Sequence, residues 1–249
     1  MIRKHIPNFI TCLNILSGSL AVIFALKGQL TVSVILIIIA SIFDFLDGVA
    51  ARWLKAYSPM GKELDSLADM ISFGLAPGML MFVMLEYSLF GTNVQADNLL
   101  DLSVVEIIIL SASLFIPIFS GLRLAKFNTD TRQTDSFIGL PTPANALFMA
   151  SLALITEHGI YENLDSFILQ PIILLIITIV MSFLLVSELP MFSLKFKNLT
   201  WKDNHIRYIF LTISLVLILS FNIYGIAAAI LSFILISVFL KPGNYEKKI

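Results

Sequence analysis

The chain has 249 residues, 58% of them hydrophobic and only 13% charged, with a mean hydropathy of +0.93. Soluble domains average roughly 25% charged residues, so the composition excludes a water-soluble globule, and a net charge of −1 gives no footing for nucleic acid. The single Cys12 excludes an intramolecular disulfide and, with three scattered histidines (His5, His158 and His205), argues against a zinc cluster.

Apolar runs recur at about 20 residues, the length that crosses a hydrocarbon core of roughly 30 Å. In chain order they predict eight spans, at about 8–26, 30–53, 62–86, 103–126, 141–157, 167–187, 206–222 and 225–240. The fifth and eighth are short. The runs are continuous rather than alternating, which selects helices over a barrel. The first run follows Arg3 and Lys4 and imitates a signal peptide. It is too long for one and lacks a small-residue cleavage site, so it reads as a span. The expectation is a single all-α, polytopic membrane bundle over residues 1–249, with no repeat and no soluble domain. The helices at about 206–240 form its C-terminal part.

Positive charge orients such a bundle, because Lys and Arg are retained on the cytoplasmic side. With a cytoplasmic N-terminus, 15 of the 16 Lys and Arg residues fall inside and only Lys27 falls outside. The inside segments include Arg3 and Lys4; Arg52, Lys55 and Lys62; Arg123, Lys126 and Arg132; Lys195, Lys197, Lys202 and Arg207; and Lys241, Lys247 and Lys248. The segment 87–102 carries Asp97 and Asp101 without a positive residue, as an outside loop should. Both termini are therefore expected in the cytoplasm.

The stretch FDFLDGVAARWLKAYSPMGKELDSLADMISFG, residues 43–74, breaks this pattern with Asp44, Asp47, Asp65 and Asp69. Asp44 sits roughly 14 residues into its span, about 21 Å along the helix, which is the cytoplasmic leaflet. Asp44 and Asp47 are spaced i, i+3, and Asp65 and Asp69 i, i+4, so each pair shares a helix face. Ser58, Pro59 and Met60 turn the chain between the helices, which must run antiparallel and can bring the two acidic faces together. Four carboxylates so placed repel one another unless cations sit between them. Hard divalent ions such as Mg²⁺ or Mn²⁺ favour all-oxygen ligands, and two of them can clamp a phosphoryl group during displacement. Simple helix capping suits Asp65, near a helix N-terminus, but not Asp44 and Asp47, near a C-terminus whose dipole opposes them. Gly48, Gly61 and Ala51 leave bare backbone for a bulky ligand, and Arg52 suits a phosphate. Together these residues suggest a metal-bound diphosphate.

The pattern Asp44-x2-Asp47-Gly48-x2-Ala51-Arg52-x8-Gly61-x3-Asp65-x3-Asp69 resembles, at every fixed position, the signature of the CDP-alcohol phosphotransferase family. The resemblance implies an integral membrane enzyme, usually a homodimer, with six core helices, which transfers a substituted phosphate from a CDP-linked donor to an alcohol and releases CMP. It implies that Asp44, Asp47 and Asp65 ligate metal and that Asp69 contributes to the metal site and acts as base. Gly48, Ala51, Arg52 and Gly61 would hold the CDP moiety.

GLRLAKFNTD at 121–130, GLPTPANA at 139–146 and, more loosely, VSELPMFSLK at 186–195 are similar to the serine-using branch of that family, as is PNFITCLNILSG at 7–18. By that resemblance the donor is CDP-diacylglycerol and the acceptor L-serine, at the cytoplasmic face of the cell membrane, among membrane lipids. Arg123 and Lys126 lie level with the acidic hairpin, suited to the donor phosphate or the acceptor carboxylate, although positive-inside anchoring alone accounts for Lys126. Pro141 and Pro143 open the fifth helix, whose N-terminus offers Thr142 and Asn145 to an anion, and Asn128 adds a further polar group. Asn8, Thr11, Asn14 and Ser17 form a polar stripe at steps of three, read as helix packing. Two alternatives stay open: the same chemistry with glycerol 3-phosphate, inositol phosphate or another alcohol as acceptor, and a cation transporter with the carboxylates near mid-membrane.

Overall fold

The computed structural model of the protein describes residues 5–91, 101–130, 137–194, 198 and 200–240. Of the charges used for orientation, Arg3, Lys4, Arg132, Lys195, Lys197, Lys241, Lys247 and Lys248 lie outside the described residues, as do Asp97 and the side chain of Lys202.

Two long helices open the chain. α1 (Ile6–Leu26) begins with Pro7 in its first turn, where a missing N–H costs nothing, and stops at Lys27 and Gly28, the latter at φ +72°. α2 (Leu30–Trp53) returns antiparallel against it. Both helices turn small or apolar residues into the bundle core, Ala21 and Ala25 from α1 and Leu30, Val34 and Ile37 from α2. Two hydroxyls cross the seam between them: Ser33 donates to the Ala21 carbonyl at 2.8 Å and Ser17 to the Leu36 carbonyl at 3.0 Å.

The turn into the next helix uses Lys55 at φ +52° and Ser58, whose hydroxyl accepts from the Gly61 amide at 3.0 Å as an N-cap ahead of Pro59. α3 (Pro59–Asp69) then passes without a break into a π-helical turn, Met70–Leu75, and on into α4 (Ala76–Phe90). α4 carries Leu80, Met81, Val83, Met84 and Leu85, all fully buried, and is the central post of the bundle.

α5 (Val104–Ser111) starts with a capping box between Ser103 and Glu106 and continues through a 3₁₀ turn, Ala112–Leu114, into α6 (Phe115–Thr129). α7 (Thr142–His158) is buried along most of its length. α8 (Glu162–Ile168) and α9 (Pro171–Val186) meet at 63°, so the span expected over 167–187 is broken at Pro171, which cannot continue the preceding helix. α10 (Trp201–Phe221) and α11 (Ile223–Leu240) form a closing hairpin around Asn222.

One element falls outside the helical expectation. A two-residue antiparallel pair, β1 (Phe137–Ile138) with β2 (Pro190–Met191), ties the approach to α7 to the segment after α9. Gly139, at φ +78°, allows this: a Cβ there would lie 2.4 Å from the Leu185 carbonyl oxygen.

The outward surface is apolar, with Ile35, Phe45, Ile172, Leu219 and Phe239 exposed, as lipid requires. Among the described residues, five helical runs are long and apolar enough to cross a membrane, or six if the bent α8–α9 pair is one span. The expected count of eight is not reached, because α7 has 17 residues and the apolar part of α11, Ile223–Phe239, is also short. The chain is a multi-pass membrane protein built as an all-α bundle.

Candidate active site

The acidic hairpin closes as the spacing requires. Asp44 and Asp47 on α2 face Asp65 on α3, and one carboxylate oxygen from each of the three lies within 4.8 Å of the others. Asp69 lies one turn farther along α3, within electrostatic reach of both Asp44 and Asp65, and its Oδ1 is buried with no hydrogen-bond partner among the described residues. Two like charges about 4 Å apart repel by roughly 4 kcal/mol at an effective dielectric of about 20. Among the described residues none of the four aspartates forms an ion pair with a lysine or arginine. The only described cation within electrostatic reach of them is Arg123, beside Asp69, so most of that repulsion is left uncompensated. An all-oxygen donor set with an orphaned carboxylate oxygen beside it fits a hard divalent cation.

A cleft of about 470 Å³ opens over this cluster, walled by α1, α2 and α3. Asp44, Asp47, Gly48, Ala51, Arg52, Gly61 and Asp65 all line it. The glycines act differently. A methyl at Gly48 would meet the Arg52 guanidinium at 3.7 Å, so the arginine lies over bare backbone there. A methyl at Gly61 would come within 3.0 Å of Asn8 Oδ1 and 3.1 Å of Ser58 Oγ, so a larger residue there would push against α1 and against its own N-cap.

Behind Asp69 stands Arg123 of α6, buried and within electrostatic reach of it. Its Nη1 donates to Thr142 Oγ1 at 3.3 Å, its guanidinium carbon sits 5.5 Å from the centre of the Phe127 ring, and its Nε has no partner among the described residues. Asn145, one turn along α7 from Thr142, is 0% exposed, and neither its amide nitrogen nor its oxygen finds a described partner. Buried amides are almost always satisfied, so among the described residues Arg123, beside Asp69, and Asn145, one turn along α7 from the Thr142 that Arg123 contacts, hold unused hydrogen-bonding capacity.

The other two polar candidates are engaged in holding helices together. Lys126 pairs with Glu188 and also donates to the Val186 carbonyl at 3.5 Å, tying α6 to the end of α9. Asn128 donates to Ser66 Oγ at 2.8 Å and accepts from Lys62 at 3.4 Å, tying α6 to α3.

The polar stripe of α1 is not only packing. Asn8 and Thr11 line the cleft, and the Thr11 hydroxyl lies 2.6 Å from Asp47 Oδ2. Deeper along the stripe, Ser72 in the π-helical turn donates to Asn14 Oδ1 at 2.6 Å, and Gly18 faces the Ser72 backbone with no room for a methyl. The step of three that made the stripe visible marks a face; only the fold shows that this face meets Asp47.

A sequence profile of the CDP-alcohol phosphatidyltransferase family matches residues 4–186. The chain is 34% identical over 186 residues to the CDP-diacylglycerol–serine O-phosphatidyltransferase of Bacillus subtilis (strain 168), covering 75% of this chain and 89% of that protein. Against the protein of the same name from Methanocaldococcus jannaschii it is 33% identical over 182 residues, 72% of this chain and 73% of the other. It is also 31% identical over 163 residues to an archaetidylserine synthase of Methanothermobacter thermautotrophicus, covering 65% of this chain and 61% of that protein. The eight signature residues stand on two adjoining helices and the matched region takes in the whole cleft: the chain belongs to the CDP-alcohol phosphatidyltransferase family.

Proposed function

We propose that this protein transfers the phosphatidyl group of CDP-diacylglycerol to the hydroxyl of L-serine, giving phosphatidylserine and CMP. The observation that carries the chemistry is the cluster of Asp44, Asp47 and Asp65 at the base of a cleft lined by Gly48, Ala51, Arg52 and Gly61. The acceptor rests on the relatives: the names of bacterial and archaeal matches share serine.

In this reading Asp44, Asp47, Asp65 and Asp69 would hold divalent cations, Mg²⁺ or Mn²⁺ and two in number. When bound, such ions neutralise a diphosphate and stabilise charge on the departing phosphate. The nucleotide lies in the cleft against the bare backbone of Gly48 and the small side chain of Ala51, with Gly61 lining the same cleft and Arg52 swinging from Gly48 to the diphosphate. Asp69 takes the proton of the serine hydroxyl, whose oxygen bonds to the phosphorus carrying diacylglycerol as the bond to the CMP oxygen breaks. A positioned base of this kind contributes about 10²–10⁴-fold. Arg123 stands beside Asp69 and, with Thr142 and Asn145, supplies donors for the serine carboxylate. Lys126 and Asn128 hold α6 in place around this pocket. The charge asymmetry of the sequence supports a cleft at the cytoplasmic face of the cell membrane, with the acyl chains in lipid, and in this reading the enzyme works as a homodimer.

Carboxylates within the cytoplasmic half, beside an arginine, also disfavour a mid-membrane cation pathway. The deciding experiment supplies purified protein with CDP-diacylglycerol, Mn²⁺ and one labelled alcohol at a time. Serine should yield phosphatidylserine with stoichiometric CMP, and glycerol 3-phosphate or inositol phosphate should stay near background. Comparable product from either would remove serine and leave the transferase.

A further inference from the structure

Asp47 is a buried carboxylate, and among the described residues its one hydroxyl partner comes from a helix outside the acidic hairpin. Thr11 of α1, itself only 3% exposed, places its Oγ1 2.6 Å from Asp47 Oδ2 and 3.0 Å from the carbonyl oxygen of Pro7. A hydroxyl has a single proton and cannot donate to both. The shorter distance falls in the range of a charge-assisted O–H···O⁻ bond, about 2.5–2.7 Å, which assigns the proton to Asp47. Among the described residues no other hydroxyl donates to any of the four aspartates.

We propose that Thr11 is a positioning residue for the acidic centre: its hydroxyl fixes the orientation of the Asp47 carboxylate so that the remaining lone pairs are presented to a divalent cation. The inference rests on the metal reading given above and adds to it a residue outside the signature. The donor is neutral, so it orients Asp47 without neutralising it, whereas a lysine or arginine there would cancel the charge a cation needs. It also ties the centre to α1, whose Asn14 holds Ser72 in the turn just after Asp69. One helix thus braces the acidic cluster from both sides. Partners in this position typically change metal affinity by about 10–100-fold when removed.

A purely structural role makes a different prediction, and α1 contains its own control. Ser17 donates to Leu36 across the same α1–α2 seam without touching an aspartate. The experiment titrates full-length protein in detergent with Mn²⁺ alone, without lipid or nucleotide, following free Mn²⁺ by electron paramagnetic resonance and folding by thermal melt. Thr11→Val keeps the shape and removes the hydroxyl; it should raise the Kd for Mn²⁺ about 10–100-fold. Thr11→Ser should restore binding to near that of the unaltered protein. Ser17→Ala should lower Tm and leave the Kd unchanged. An unchanged Kd in Thr11→Val, or an equal loss in Thr11→Ser, overturns the role of the hydroxyl while leaving the metal centre standing. If Thr11→Val and Thr11→Ala both fail to fold, Thr11 is structural and the proposal falls. Unaltered, folded protein that binds no Mn²⁺ removes the metal centre itself and Thr11's role with it.

Discussion

The two ends of α2 and α7 use carboxylates in opposite ways. Toward the N-terminus of α2, Glu157 from the last turn of α7 accepts from the backbone amides of Leu30 at 2.9 Å and Thr31 at 2.8 Å, and from the Thr31 hydroxyl. Those amides are among the donors that a helix start leaves without partners. Nearby, Asp165 accepts from the Tyr224 hydroxyl at 2.6 Å and from the Tyr161 amide at 3.0 Å. Between Leu30 and Asp47, about 25 Å along α2, the accounting reverses. Asp44, Asp47, Asp65 and Asp69 face one another, and among the described residues only Thr11 donates a hydroxyl to any of them. Burying a charge is costly unless it is paired or ligates a metal. A carboxylate saturated with donors belongs to the framework, and in the proposed function the ones left open are those that take a ligand.

The sharpest way to break this comparison is to neutralise an open carboxylate. Asp44→Asn should reduce CMP release to background and abolish the restoration by Mn²⁺ that follows chelation, while Tm holds or rises as repulsion is relieved. Full turnover in chelator-treated enzyme would show that the open carboxylates await something other than a metal. Asp69→Asn should come next, with kcat down about 10²–10⁴-fold and the affinity for CDP-diacylglycerol largely kept. Loss of donor binding as complete as in Asp44→Asn would make Asp69 chiefly a ligand and move the base elsewhere.

A smaller effect probes the open end of α7. Asn145 is buried and neither amide atom has a partner among the described residues, so in this reading its partner is the substrate. A hydrogen bond to a charged group is worth roughly 1.5–3 kcal/mol, about 10–150-fold in affinity. Asn145→Ala should therefore raise the KM for serine by that factor and leave the KM for CDP-diacylglycerol within about twofold. Equal changes in both would make Asn145 a packing residue.

What was legible in the sequence follows the range of the interactions. Continuous apolar runs and the i, i+3 and i, i+4 spacing of the aspartates are local, and they placed the helices and the acidic hairpin within a few residues. The interruptions were harder. The break at Pro171 carried a local signal, proline after Gln170, which a smooth apolar average over 167–187 concealed. The π-helical turn at Met70–Leu75 carried a weaker one, Gly74 and the nearby Pro77, which has no N–H for the Phe73 carbonyl, and its partner, Asn14 accepting from Ser72, lies 58 positions away. Long-range partners decided the rest. Lys126 reads alone as a phosphate ligand or an anchor until Glu188, 62 residues on, is found beside it. Thr11 reads as packing until the fold sets it against Asp47, 36 residues on.

The smallest effect on turnover, and the reciprocal test of the comparison, belongs to the saturated end. Glu157→Ala removes the acceptor for two amides and a hydroxyl at the start of α2 while leaving every cleft residue in place. Losing one partner of a buried bond costs about 1–3 kcal/mol, so Tm should fall clearly, and Glu157→Gln, which keeps one acceptor oxygen, should fall less. At temperatures where both variants remain folded, CMP release should stay within about twofold of the unaltered enzyme, because α2 is anchored again near its other end through Thr11 and Asp47. A loss of turnover without a loss of Tm would mean that the opposite end communicates with the acidic centre along α2, and that its carboxylates serve more than the framework.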